Sequence, residues 1–253
     1  MFKTIGSYKK NNTSWEQEVL FFIVLHLVFY YLVMSFLPLY VYFIAISFLT
    51  SLSVYFISKD SPFYLKMFPP FLLATLVVES LGTYLSSIGK QNVWLYNFFT
   101  VIEFCFYLEV ISLIISNRKM KKIIRVILVV YALASSINII FLQQIMVFHT
   151  FTYAIGCLLI VAVCVYYFYE LFKVPKAVKL WNNPAFWICS GLLFFYCCGF
   201  PLYGFANFIS GISKLIISNF HSIIIILNIF LYSLFTIAFL CQFKTRKYIS
   251  SPS

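Results

Sequence analysis

NVWLYNFFTVIEFCFYLEV, residues 92–110, decides the reading of this chain. The stretch is apolar enough for a bilayer, yet it carries two carboxylates, Glu103 and Glu109. On a helix, Asn92, Tyr96, Thr100, Glu103 and Tyr107 recur every three or four residues and share one face. Glu109 lies about 240° further round than Glu103, with Cys105, Ser112 and Ser116. A charged acid at the bilayer centre costs about 2.5–3.5 kcal/mol, so such a face belongs against other helices.

The rest of the chain supplies those helices. Of its 253 residues 63% are hydrophobic, 21% aromatic and 10% charged. Mean hydropathy is +0.97. This composition excludes a soluble domain and fits a polytopic membrane protein. Eight apolar runs can be marked, at 19–35, 38–58, 67–88, 93–116, 123–142, 147–172, 184–205 and 220–242. Most reach the roughly 20 residues that cross about 30 Å of hydrocarbon. Lipid offers no partner to a backbone N–H or C=O, so helices are the default. The expected fold is all-α: a transmembrane bundle of eight spans, a seven-helix core plus an N-terminal span. Residues 1–18 form a polar tail, 19–242 the bundle and 243–253 a basic tail. Asn219 is the expected cap of the last span, and Asn183 followed by Pro184 that of the seventh.

The first two runs together are too long for one helix. They must fold back at Met34–Pro38, the turn available, or the first run must lie in the interface and leave seven spans. Charge favours eight. With both termini cytoplasmic, 16 of the 18 Lys and Arg residues fall inside and only Lys90 and Lys214 outside. Seven spans would move Lys3, Lys9 and Lys10 outward, against the positive-inside rule. The net charge of +11 therefore faces anionic lipid, and no nucleic-acid partner is implied. The expected location is the inner membrane, with the first run retained as an anchor because no small-x-small cleavage site follows it.

Other spans carry matching polar faces. The third presents Thr75, Glu79, Gly82, Thr83 and Ser86; the fifth Tyr131, Ser135 and Asn138. The sixth presents His149, Tyr153 and Gly156; the eighth His221, Asn228, Tyr232 and Phe235. Counted from the outer helix ends at 1.5 Å per residue, Glu79, Glu103 and Asn228 all lie roughly 14–16 Å deep. Asn138, His149 and His221 lie above them. The positions fit an outward-opening polar pocket floored by Glu79 and Glu103, which face each other with Asn228 and Tyr232 alongside. Glu79, Glu103, Tyr107, Asn138, His149, His221, Asn228 and Tyr232 are the candidate ligand-binding residues. The plainer alternative is that these groups are hydrogen-bond glue between helices. Glu109 and Glu170 sit nearer the basic loops and are expected to pair with Arg118–Lys122 and Lys173. In the seventh span, CCGFPLYGF (residues 197–205) places Gly199, Pro201 and Gly204 together, which predicts a kink or an unwound turn.

Nothing in the sequence assembles a catalytic, metal or cofactor site. H-E-x-x-H, G-x-S-x-G and P-loop motifs are absent, and seven cysteines include no C-x-x-C pair. No lysine lies inside the last apolar run, which excludes a retinal Schiff base. At NVWLYNFFTVIEF, NPAFWICSGLLFFY and LNIFLYSLFTIAFLC the chain resembles uncharacterised bacterial seven- or eight-helix membrane proteins, themselves akin to the membrane sensor modules of histidine kinases. The resemblance spans most of residues 38–242. It implies ligand sensing, and since no kinase or cyclase output domain follows residue 242, a separate signalling or complex-forming partner. A small proton- or cation-linked transporter or channel is the alternative; a scaffold and a lipid-modifying enzyme come behind it.

Overall fold

In the computed structural model, residues 37–57, 61–142, 145–173, 180–204 and 214–249 are described, and all their regular structure is helical. The first apolar run therefore lies outside the described residues. The stretch read first forms α4, Val93–Ile114. Around it stand α1 (Leu39–Ile57), a single turn α2 (Phe63–Lys66), α3 (Phe68–Ser87), α5 (Arg118–Ile137), α6 (Thr150–Lys173), α7 (Pro184–Gly204) and α8 (Lys214–Ile249). Six helical segments, in α3 to α8, are long and apolar enough to cross a membrane, and Leu39–Val54 of α1 is a shorter apolar one.

Local chemistry sets the helix ends. Pro69 and Pro70 open α3, where a missing N–H costs nothing. Gly89 closes it at φ 69°, a conformation glycine adopts freely. The Lys90 N–H then reaches back to the Leu85 carbonyl at 2.9 Å, completing a Schellman-type stop. Asn183 caps α7 as the sequence predicts, its Oδ1 accepting from Ala185 N at 3.0 Å with Pro184 as first residue.

Three boundaries differ from the hydropathy reading. Helix α5 starts at Arg118, five residues before the apolar run, because Asn117 Oδ1 accepts from Lys119 N and Met120 N. Glu170 sits at the same end and accepts from Ser116 N at 2.9 Å and Asn117 N at 3.1 Å. A carboxylate there offsets both the dipole and the basic first turn. Helix α8 starts at Lys214, so Asn219 is inside it and caps nothing; Lys214 and Lys244 lie on the helix, beyond its apolar section Asn219–Gln242. Helix α7 runs through Pro201 to Gly204 without an unwound turn. Proline removes one donor there, and the helix tolerates it near its end.

Packing contacts close six helices into a ring. α1 packs between α3 and α8, α7 between α8 and α6, and α4 joins α6 back to α3. Helix α5 packs outside the ring, mainly on α4. Its outer face, with Val126, Val129, Val130 and Leu133 all more than half exposed, is what lipid requires and water would penalise. The half of the ring nearer the 57–63 and 114–118 connections is filled with rings. Phe71 stacks on Phe106 at 3.8 Å, while Phe68 meets Phe106, Phe235 and Phe239 at 5.2, 5.3 and 5.4 Å.

Candidate functional site

Above that aromatic plug the ring holds a cavity of about 470 Å³. Every ring helix contributes to its wall: Tyr40 from α1; Thr75 and Glu79 from α3; Val93, Tyr96, Phe99, Thr100 and Glu103 from α4; Thr150 and Tyr153 from α6; Phe195 from α7; and Phe220, His221, Ile224, Asn228 and Tyr232 from α8. Phe148, from the 145–149 strap before α6, completes it. Val93, Phe148, Thr150, Phe220 and His221 place the cavity toward the end that carries the 88–92 turn and the strap.

Glu79 is held by two phenols on one oxygen. Tyr40 donates to its Oε2 at 2.7 Å and Tyr96 at 3.2 Å. Tyr40 is the second residue of α1, so the chain reaches the depth of Glu79 soon after Pro38. The approach of Tyr96 needs Gly82, because a Cβ there would collide with its hydroxyl and lie 2.8 Å from its Cζ. Asn92 fixes the same corner by donating to the Gly82 carbonyl at 2.9 Å. Glu103 also opens on the cavity, and its charge couples with that of Glu79. Its protein neighbours are again phenols. Tyr107 and Tyr196 are fully buried beside it, and neither hydroxyl has a hydrogen-bond partner at bonding distance.

The predicted site residues thus divide into two groups. Glu79, Glu103, His221, Asn228 and Tyr232 meet at the cavity. Tyr107 belongs to the layer beneath Glu103. Asn138 and His149 do not reach the wall; they form a separate buried network that anchors the strap. Nε2 of His149 lies 2.6 Å from Thr100 Oγ1 and its Nδ1 2.7 Å from Thr152 Oγ1. Asn138, on a π-helical turn that ends α5, donates to the same Thr152 hydroxyl at 3.1 Å. The network assigns the tautomer. Thr100 gives its proton to the Tyr96 carbonyl at 2.9 Å, so Nε2–H donates to Thr100 and Nδ1 accepts from Thr152.

Glu109 and Glu170 stay out of the cavity. Glu109 forms a forked pair with Arg125, at 3.0 Å from Nη2 and 3.3 Å from Nε, one turn beyond the lysines expected to take it. Glu170 binds backbone N–H groups in place of Lys173.

Sequence reading missed Asn97, Tyr40 and Tyr196. Asn97, fully buried, donates to the carbonyls of Ile145 at 2.9 Å and Val147 at 2.8 Å and accepts from His149 N at 3.3 Å. It ties the strap to α4.

Burial holds the His149 imidazole down to about 4, from an ordinary 6.5. Between these values the unfolded chain takes up a proton that the folded chain refuses. Stability is therefore complete above about pH 6.5 and falls toward pH 4, by up to about 1.4 kcal/mol per pH unit. We expect the melting temperature of the detergent-solubilised protein to drop from neutral pH to about pH 5. In His149→Gln the drop should be shallower; equal slopes for the two proteins would remove His149 as its source.

Compared with protein-family models, curated proteins and solved structures, the chain matches none of them. Its function is argued from the cavity.

Proposed function

We propose that this is a multi-pass protein of the inner membrane whose helix ring carries a small-ligand pocket open to the outside, and that it works as a ligand-sensing or accessory module read by a partner protein. The observation that supports it most is the shape of the site: one cavity, walled by all six ring helices, with both mid-depth carboxyls on its wall. A ligand touching six helices can bias their packing, as a sensor requires. The volume lies within the roughly 300–1,000 Å³ usual for small-molecule sites. Its blind end favours sensing over conduction, because the Phe68, Phe71, Phe106, Phe235 and Phe239 rings fill the ring interior below Glu103 and Tyr232. Sensing also agrees with the resemblance to kinase-linked membrane modules.

Orientation is tested first. In a cysteine-free background, a cysteine replacing Lys90 should react with an impermeant thiol reagent added to intact cells. Cysteines at Lys119 and Lys176 should resist it, and one at Lys10 reports the side of the N-terminal tail. Labelling at Lys119 with protection at Lys90 would turn the pocket inward and end the proposal.

A further inference from the structure

Resting on the pocket reading above, we infer that the ligand is an organic cation: an ammonium group placed between Glu79 and Glu103, with its apolar part against the aromatic wall. Charge is the first reason. Among the described residues the wall carries two carboxyls and neither lysine nor arginine. The donors gathered around those carboxyls are neutral phenols. Glu79 accepts two O–H groups on a single oxygen, as an ionised carboxylate does. Beside Glu103 the hydroxyls of Tyr107 and Tyr196 are buried and unpartnered, with that carboxyl as the acceptor within their reach. Phenols orient toward negative charge but bring no positive charge to offset it. A ligand cation does.

The wall gives the second reason. Eight of the 17 lining residues are Phe or Tyr, and their ring faces attract an ammonium group while accepting hydrocarbon. Phe99, Phe148, Phe195 and Phe220 supply faces without a polar tip, which suits the apolar part of an amine. Size and ligand number argue against a bare metal ion. The cavity is far larger than one ion, and no cluster of three or more His, Cys, Asp or Glu exists among the described residues. An ion such as Ca²⁺ takes about six to eight oxygen ligands.

The test uses the full-length protein in neutral phosphatidylcholine nanodiscs and reads thermal stabilisation and calorimetric binding. The probes are amines from methylammonium through phenethylamine to benzyltrimethylammonium, with alcohols and carboxylic acids on matching carbon skeletons. Amines should bind, and phenethylamine should exceed both 2-phenylethanol and 3-phenylpropionate by at least roughly tenfold, as loss of a desolvated charge partner implies. Methylammonium should be weaker than the aryl amines. E79Q and E103Q should each weaken amine binding by about the same factor, while E109Q binds like the unmodified chain. Alcohols or acids binding as well as amines would overturn the cation inference and leave the pocket intact. Silence of the whole series, neutral compounds included, would overturn the pocket reading beneath it. The series on the unmodified chain decides between these even where a variant does not fold.

Discussion

Asn97→Leu should release the 145–149 strap and cost the protein about 3 kcal/mol. The substitution keeps the volume of a fully buried side chain but removes three hydrogen bonds at once. A buried polar group left unpaired costs about 1–3 kcal/mol. The Ile145 and Val147 carbonyls lie on a partly exposed segment where water takes up part of that loss. The N–H of His149 is buried and does not recover so easily. Two measurements check this: melting temperature in detergent, and hydrogen exchange at residues 145–149, which should lose protection in the variant. Asn97→Asp separates the contributions. It keeps the oxygen facing His149 N but presents an oxygen to two carbonyls, so it too should free the strap. A strap that stays protected in both variants would mean that Asn97 merely fills space. Because Phe148 lines the cavity, ligand affinity should fall with strap protection.

The contrast between Asn97 and its neighbours shows what this sequence makes legible. Seven of the eight apolar runs correspond to helices, since lipid forces both apolar side chains and internal backbone bonding on a span. Glu79, Glu103, Asn228, Tyr232 and His221 were legible as wall residues because helical periodicity puts polar groups of equal depth on facing sides. Asn97 breaks that logic. It lies off the stripe of Asn92, Tyr96 and Thr100, and its partners are backbone groups of a connection, which any sequence could supply. Tyr40 and Tyr196 are hidden among 19 tyrosines, and only the packing of distant helices decides which phenol meets which carboxyl. His149 and Asn138 were assigned to the cavity from depth alone; the strap turns them away from it. The starts of α5 and α8 extend past their apolar runs because backbone bonding continues wherever an N-terminal partner is found, and hydropathy does not register that.

Glu103 carries the sharpest test, since glutamine and leucine at this position separate function from glue. Glutamine preserves the shape and an acceptor oxygen for the Tyr107 and Tyr196 hydroxyls, so Glu103→Gln should fold normally, with a stability change of about 1 kcal/mol or less. What it loses is the capacity to ionise. If the carboxyl takes part in binding, the variant's affinity for an amine probe becomes independent of pH at this site and falls, while its melting temperature does not. Glu103→Leu removes the one polar neighbour of two fully buried phenols. It should cost about 2–4 kcal/mol, from roughly 1–3 kcal/mol for each stranded hydroxyl less what packing returns. Glu109→Gln is the control: it breaks an exposed pair with Arg125, worth about 0–1 kcal/mol, and leaves the cavity untouched. The order of the three variants is therefore different in the two assays. Leucine should be worst for stability, with both glutamine variants near the original; for amine binding, Glu103→Gln should fall and Glu109→Gln should not. Were Glu103→Gln to bind amines like the original chain at every pH, Glu103 would be reduced to hydrogen-bonded glue between α4 and α7, and Glu79 alone would have to carry the site.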